Sequence, residues 1–334
     1  MSKIGAMIKP NLDVKQVLQK YGIVFVLILM IIGLSIAQPA FLSSSNIFNV
    51  LTQSSIFGIM ALGLTFVIIS KGIDLSVGSV LAFSGVVAAS LGQAATATGK
   101  YFPNLAEMPV IVPILAALII GGLCGGISGL LIAKTRIPAF IATLGMMTVA
   151  RGMALIYTDG KPVSTLIPSL TMLGGKLFGV IPIPVIIYFI MIVISTILLN
   201  KTRFGKNIYA IGGNITAAEI SGVNVSKNLV AIYAYSGLLA GLAAVVFAGR
   251  VGSVHPGAAT GYELTAIAAT TIGGTSHSGG IGTIWGAFVG ALVLAVMRNG
   301  LTLLGVDAYW QQVTEGVIIV VAVIIDMRKN AKKD

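Results

Sequence analysis

Charge is what this sequence has least of. Charged residues fill 9% of the 334 positions and hydrophobic residues 56%, whereas a soluble domain carries roughly 25% charged residues. A surface so poor in charge excludes a water-soluble globule, so lipid must be the solvent over most of the molecule. Cysteine is almost missing. Cys124 stands alone, which excludes an intrachain disulfide, and with two histidines there is no Cys/His metal spacing. Cys124 lies in a Gly-rich apolar run and reads as a small core residue. ATP hydrolysis by a phosphate-cradling loop needs G-x-x-x-x-G-K-[ST]. Gly99-Lys100 and Gly205-Lys206 each lack the earlier Gly and the following Ser or Thr. Paired carboxylates and a nucleophile elbow are also absent. His255 and His277 read as solvated loop residues. No catalytic residue, metal site or bound cofactor is assigned to this chain.

What is present is a run of apolar stretches and 41 glycines. Small residues let membrane helices approach closely and permit bends where a pathway interrupts a helix. A spanning helix needs about 20 mostly apolar residues. Ten stretches qualify, near 21–38, 54–70, 75–97, 109–133, 138–157, 183–199, 229–249, 263–276, 282–297 and 313–326. The predicted fold is therefore an all-α integral membrane protein of about ten transmembrane helices. The eighth stretch is the weakest, because it opens at Glu263 and dissolves into the run from Gly273 to Gly280, as a broken helix or re-entrant hairpin would. The first twenty residues hold four spread lysines, no small-residue cleavage site follows the first apolar run, and so no secretory signal is expected; the first span is expected to remain as an anchor helix.

Lys and Arg gather on the cytoplasmic side of membranes. With both termini inside, the cytoplasm receives fifteen of the 21 Lys and Arg, in clusters at 3–20, 71, 134–136, 201–227 and 328–333. The outside receives Lys100, Lys161, Lys176, Arg250 and Arg298, and Arg151 falls within a span. This bias also accounts for the net charge of +11 as an orientation signal, so no nucleic-acid partner is implied. One transmembrane domain, 1–334, is expected, with a cytoplasmic segment 1–20, a cytoplasmic loop 200–228 and a basic tail 327–334.

The loop 200–228 is too polar for lipid and too short for a domain. Thr216 and Glu219 are spaced as a capping box, and Gly222 suits the left-handed position that ends a helix. Gly212 and Gly213 permit a sharp turn ahead of it. The small residues Ala217, Ala218 and Ser221 lie between. Such a helix suits a cleft in another protein, although an ordinary solvated connector would look similar. Asn214-Ile-Thr216 matches a glycosylation sequon, which a cytoplasmic location makes a chance match.

The segments Arg203-Phe-Gly-Lys-Asn-Ile-Tyr-Ala-Ile-Gly-Gly-Asn214 and Ala217-Ala-Glu-Ile-Ser-Gly-Val-Asn-Val225 resemble the cytoplasmic loop of bacterial ATP-binding-cassette monosaccharide permeases. So do Gly72-Ile-Asp-Leu-Ser-Val-Gly78 and the stretch from Gly261 to Ser276 with Gly279-Gly-Ile-Gly282. The resemblance runs from about residue 40 to about 326 and is nearest to the galactoside and ribose permeases. It implies a type II importer permease, multi-pass in the bacterial plasma (inner) membrane, working as a pair of permease copies. The partners it implies are a cytoplasmic ATPase that holds the ATP and Mg, and a periplasmic or lipid-anchored sugar-binding protein. It implies that 200–228 is the element coupling transport to the ATPase, through Gly212, Gly213, Asn214, Thr216, Ala217, Ala218, Glu219, Ser221 and Gly222. Galactose, glucose and methyl-galactoside stand first as cargo, on Tyr101-Phe-Pro-Asn-Leu-Ala-Glu-Met-Pro109 and the 200–214 run, with ribose next.

Ionisable groups within the bilayer are costly and often functional. Arg151 must face protein or water, as a pathway group or as a structural partner of a carboxylate or backbone carbonyls. Asp74 can cap the third helix, and Glu263 suits the positive end of the eighth. Glu315 and Asp326, at the two ends of the last span, are expected to reach the interface. Val77-Gly-Ser-Val80 and Ile281-Gly-Thr-Ile284 repeat one pattern in the two halves, and paired interrupted segments point to a pathway. The candidate passage therefore lies between spans two and three and spans eight and nine. It takes in Thr65, Ser70, Asp74, Ser76, Ser79, Arg151, Glu263, Thr270, Thr271 and Thr275; the Ser and Thr among them offer hydroxyls that a neutral sugar could use and that also serve as helix–helix glue. Two other readings stay open: an ion-coupled secondary carrier, which would need intramembrane carboxylates, and a permease for another solute such as a branched-chain amino acid.

Overall fold

The computed structural model describes residues 14–330. The segment expected at 1–20 and the basic tail at 327–334 fall largely outside them. The helices, in chain order, are α1 (Val14–Ala37), α2 (Ser44–Ile69), α3 (Val77–Leu91), α4 (Ile111–Thr135), α5 (Ala139–Thr158), the short α6 (Pro168–Thr171), α7 (Ile183–Lys201), α8 (Arg203–Gly213), α9 (Ile215–Ile220), α10 (Val225–Val251), α11 (Tyr262–Ile272), α12 (Ile284–Leu303) and α13 (Ala308–Asn330). Every apolar stretch read from the sequence coincides with one of these. Among the described residues, seven helices are long and apolar enough to cross a membrane: α2, α4, α5, α7, α10, α12 and α13.

Two helices are shorter than their stretches promised. α3 stops at Leu91, six residues before the expected end, where Gly92 closes it and Gln93 bridges to Leu166. α11 has 11 residues, which at 1.5 Å per residue is about 16 Å against a hydrocarbon core of about 30 Å. Both are interrupted elements, packed inside the bundle rather than against lipid.

The core is centred on α2, in which every residue from Ser54 to Ile69 is buried. Its closest helix pair is α4 with α10, and glycine spacing explains why. Gly121 and Gly125, four apart on one face of α4, lie directly on α10. A Cβ at Gly121 would sit 2.2 Å from the Gly237 carbonyl oxygen, and one at Gly125 2.0 Å from that of Tyr233. Gly237 and Gly241 answer from α10, with the Gly121 and Ala117 carbonyls at 2.1 and 2.2 Å from their would-be Cβ atoms. Without water to drive association, this backbone-to-backbone contact gives van der Waals energy that lipid cannot match. Outward-facing residues such as Leu115, Ile119 and Leu123 of α4 and Val313, Val317 and Val320 of α13 are exposed and apolar, as a lipid-facing surface requires.

Two small antiparallel ribbons tie the loops. β1 (Val163–Ser164) pairs with β4 (Ser253–Val254), and β2 (Lys176–Leu177) with β3 (Ile181–Pro182). In the second, Phe178, Gly179 and Val180 link Leu177 to its partner Ile181; Phe178 and Gly179 have positive φ, and Val180 N–H closes the turn on the Leu177 carbonyl at 3.1 Å.

Candidate functional site

The two interrupted segments meet. α2 ends at Ile69, and its free carbonyl accepts from Gly280 N–H at 2.8 Å, within the 273–283 break that separates α11 from α12. Further into the bundle the chain after α2 turns back, and the first turn of α3 reaches the start of α11. There Gly78 lies so close that a Cβ would stand 2.2 Å from Glu263 Oε2.

α8 rests on this junction. Thr202 caps it by accepting from Gly205 N–H, and the helix ends with Gly212 against both breaks. A Cβ at Gly212 would be 1.8 Å from the Ile69 oxygen and 2.6 Å from Gly280 N. Tyr209 Oη donates to the Gly282 carbonyl at 2.8 Å, and Lys71 Nζ reaches the Gly213 carbonyl at 3.4 Å. One short helix outside the bundle is thus in direct backbone contact with the ends of both interrupted segments.

The loop 200–228 holds two helices rather than one. The cap of α9 also differs from the sequence reading, since Asn214, not Thr216, is the N-cap. Its Oδ1 accepts from Ala217 N–H at 3.0 Å, and Thr216 sits inside the first turn. α8 ends at Gly213, so Asn214 is the one extended residue between the helices and takes the cap. Gly222 does adopt positive φ, +82°, where α9 ends. Ala218 packs inward while Ile215 and Ile220 point out, Ile220 with 83% of its surface exposed. Glu219 is exposed, and Ser221 Oγ donates to the Ala217 carbonyl.

Most of the expected pathway residues are already hydrogen-bonded. Asp74 is 1% exposed and does not cap α3 itself. Its Oδ1 accepts from Ser76 N–H at 2.9 Å and Ser76 Oγ at 2.6 Å, just before the helix starts. Oδ2 accepts from Ser236 Oγ of α10 at 2.9 Å. Thr65, Ser70 and Thr270 donate back to carbonyls three or four residues earlier, and Ser79 is buried in α3. Thr275 Oγ1 is buried without a partner among the described residues. Arg151 takes the structural role, as Nη1 donates to the Pro256 and Ala258 carbonyls at 2.6 and 2.9 Å. Glu263 Oε1 accepts from Gly261 N–H at 3.3 Å.

His277 is not the solvated residue expected. Its Nε2 lies 2.8 Å from Thr271 Oγ1, and its N–H donates to Asp326 Oδ2 at 3.0 Å. Burial lowers the imidazole pKa from its ordinary value, against the opposing pull of Asp326. Asp326 also accepts from Ser276 Oγ at 3.1 Å, so it braces the break while staying part-exposed near the end of α13. Glu315 is buried, at 7% exposure, in an ion pair with Arg298. The partners lie on neighbouring helices at the opposite end of the bundle from α8, beside a cleft of about 650 Å³. The sequence reading assigned neither the pair nor the cleft.

A glycine-packed bundle of long apolar helices, with two interrupted segments gripped from outside by a short helical loop, is the frame of a polytopic membrane protein. The chain belongs to the family described as branched-chain amino acid transport system / permease component, whose profile matches residues 46–323. It is 43% identical over 309 residues to the ribose import permease protein RbsC of Escherichia coli (strain K12), covering 91% of this chain and 92% of that protein. RbsC of Bacillus subtilis (strain 168) is 43% identical over 317 residues, 94% and 95% of the two chains. The galactose/methyl galactoside import permease protein MglC of Escherichia coli (strain K12) is 41% identical over 322 residues, 94% and 96%. No solved structure gives a significant match.

Proposed function

We propose that this chain is the membrane-spanning subunit of an ATP-binding-cassette importer for a monosaccharide. A separate ATPase energises it, and a separate external binding protein delivers the sugar. The observation that carries the reading is the seat of α8. Gly212 lies on the Ile69 carbonyl and on Gly280 N, so a push on the α8–α9 loop acts on both interrupted segments at once. A stand-alone carrier has no need of such a lever. Names among the relatives support the cargo class: ribose for RbsC and galactose or methyl galactoside for MglC. Identities of 43% and 41% leave ribose and galactose level, and the sequence preference for galactose gains no support from them. The family's description names branched-chain amino acids, and leucine uptake is the outcome that would favour that cargo.

In this reading the chain is a single domain of about ten spans in the bacterial inner membrane, with both termini and α8–α9 in the cytoplasm, on the strength of the Lys and Arg bias. Two copies form the pathway. The segment from Gly212 to Gly222 is the coupling element, with the exposed Ile215 and Ile220 as its apolar contact to the ATPase. Thr65, Ser70, Asp74, Ser76, Ser79, Arg151, Glu263, Thr270, Thr271 and Thr275 frame the moving parts of the pathway.

An Ile220→Cys variant carrying a photoactivatable thiol probe tests this. Cys124, the native thiol, is buried. In the assembled transporter the probe is expected to form an adduct with the ATPase, in a yield that changes with ATP. Adducts with lipid alone, from an intact complex, would contradict the coupling role.

A further inference from the structure

The cleft at the end opposite α8 has a chemistry that the permease reading does not use. It is bounded by α2, the start of α11, α12 and the first half of α13. Gln53, Tyr262, Arg298, Gln311, Gln312 and Glu315 supply its polar lining, within a volume of about 650 Å³. Small-molecule sites run from about 300 to 1,000 Å³. Glu315 is the unusual member. Arg298 grips one of its oxygens only: Nε and Nη2 both donate to Oε2, while Nη2 also donates to Thr265 Oγ1 at 2.8 Å. The Arg298 guanidinium lies 5.9 Å from the centre of the Phe57 ring, which backs it from α2. Oε1 is buried and has no hydrogen-bond partner among the described residues. A buried acceptor left unmade is costly, and a carboxylate oxygen costs more than a neutral one. Glu315 lines the polar cleft, so a turn of its carboxylate can offer this buried oxygen a donor there.

We infer that this cleft is a monosaccharide subsite in which a sugar hydroxyl donates to Glu315 Oε1. A hydroxyl-to-carboxylate bond is charge-assisted and short. The carboxamides of Gln53 and Gln312 each carry a donor and an acceptor, which suits a ring of hydroxyls that both give and accept. The phenol of Tyr262 adds an apolar face with a polar tip. Charge sets the ligand class. Arg298 and Glu315 are the only charged residues of the lining, and they neutralise one another, so the cleft suits a neutral polyol. An amino-acid zwitterion would need a free cation for its carboxylate, and Arg298 is already committed. The importer reading underlies this subsite, because it places the Arg298 end outside, where a binding protein would release its sugar.

The test is direct binding, with transport as a separate arm. Saturation-transfer NMR on the reconstituted permease would use D-ribose, D-galactose and leucine as probes. The wild type is expected to give sugar signals and no leucine signal. Glu315→Gln and the double variant Gln53→Ala/Gln312→Ala are each expected to lose about fivefold or more of the sugar signal, as loss of one or two polar bonds implies. The double variant leaves the Arg298–Glu315 pair intact, so it separates binding from folding. Sugar signals unchanged in the double variant, absent from the wild type, or replaced by leucine signals would overturn the subsite. If the assembled importer nonetheless carries sugar with ATP, the importer reading survives. If the assembly carries no sugar, that reading fails by itself, whatever the NMR shows.

Discussion

Gly212 and Gly213 are neighbours in sequence and opposites in their surroundings, and that contrast gives the sharpest test of how α8 is seated. A Cβ at 212 would stand 1.8 Å from the Ile69 oxygen, whereas a Cβ at 213 meets nothing within 4 Å. Ordinary van der Waals contact begins near 3.4 Å. Gly212→Ala must therefore push α8 and the end of α2 apart by about 1.5 Å, the order of strain seen on overpacking a tight site. A shift of that size strains the Tyr209–Gly282 and Gly280–Ile69 hydrogen bonds, each worth about 1 kcal/mol net. With about 1–3 kcal/mol for the overpacking itself, and about half of the two bonds' worth, about 1 kcal/mol, lost to that strain, the junction loses about 2–4 kcal/mol. Gly213→Ala has no such cost and gains slightly from reduced backbone entropy in the unfolded chain. Hydrogen–deuterium exchange over 203–220 and 273–283 reads both. The expected result is exchange about 30-fold or more faster in Gly212→Ala, in both segments together, and no acceleration in Gly213→Ala. Equal behaviour of the two variants, or acceleration confined to 203–220, would refute the seating of α8 on both breaks.

Other perturbations separate the remaining claims. Gly125→Val puts a branched side chain where even a Cβ has 2.0 Å to the Tyr233 oxygen. The α4–α10 pair should lose several kcal/mol, seen as a large fall in detergent Tm, while Gly126→Ala, with its nearest neighbour at 3.8 Å, should be neutral. Asn214→Ala should cost the α9 cap about 1 kcal/mol, and Thr216→Ala should cost far less, as local exchange at 215–222 would report. His277 prefers to be neutral in the folded protein, because burial outweighs Asp326. Its contribution to stability is present above its ordinary pKa of 6.5 and is lost as pH falls through that value toward the folded one. Exchange in the 273–283 break should rise below about pH 6, and His277→Gln should flatten that pH dependence.

The apolar stretches were legible because a membrane demands about 20 residues of hydrocarbon per span, and glycine abundance pointed to close helix contacts without saying that α4 and α10 make them. The weakness of 263–276 was legible too, as its polar glycine run ends α11 after 11 residues. What escaped the sequence is tertiary. Asn214 and Thr216 both have the chemistry of a cap, and only the end of α8 at Gly213 decides between them. Arg298 and Glu315 lie 17 residues apart on different helices, so no local spacing marks their pair. Glu315 looked like an interfacial carboxylate because it stands near the end of its span, yet α11 and α12 bury it. His277 looked solvated in a Gly-Ser loop, and it is Asp326, from the far end of α13, that holds its backbone in place. The hydroxyls of Thr65, Ser70 and Thr270 were visible as polar atoms in apolar helices, but their use by their own backbones was not.

The central claim is that this chain moves a sugar only when a separate ATPase drives it through α8 and α9. Uptake of labelled ribose and galactose into proteoliposomes tests it most directly, with the chain alone and then with its ATPase and binding protein. Accumulation is expected only with every component and ATP on the α8 side, and is expected to be lost in Gly212→Ala but not in Gly213→Ala. Uptake by the chain alone, driven by an ion gradient and indifferent to Gly212, would contradict it.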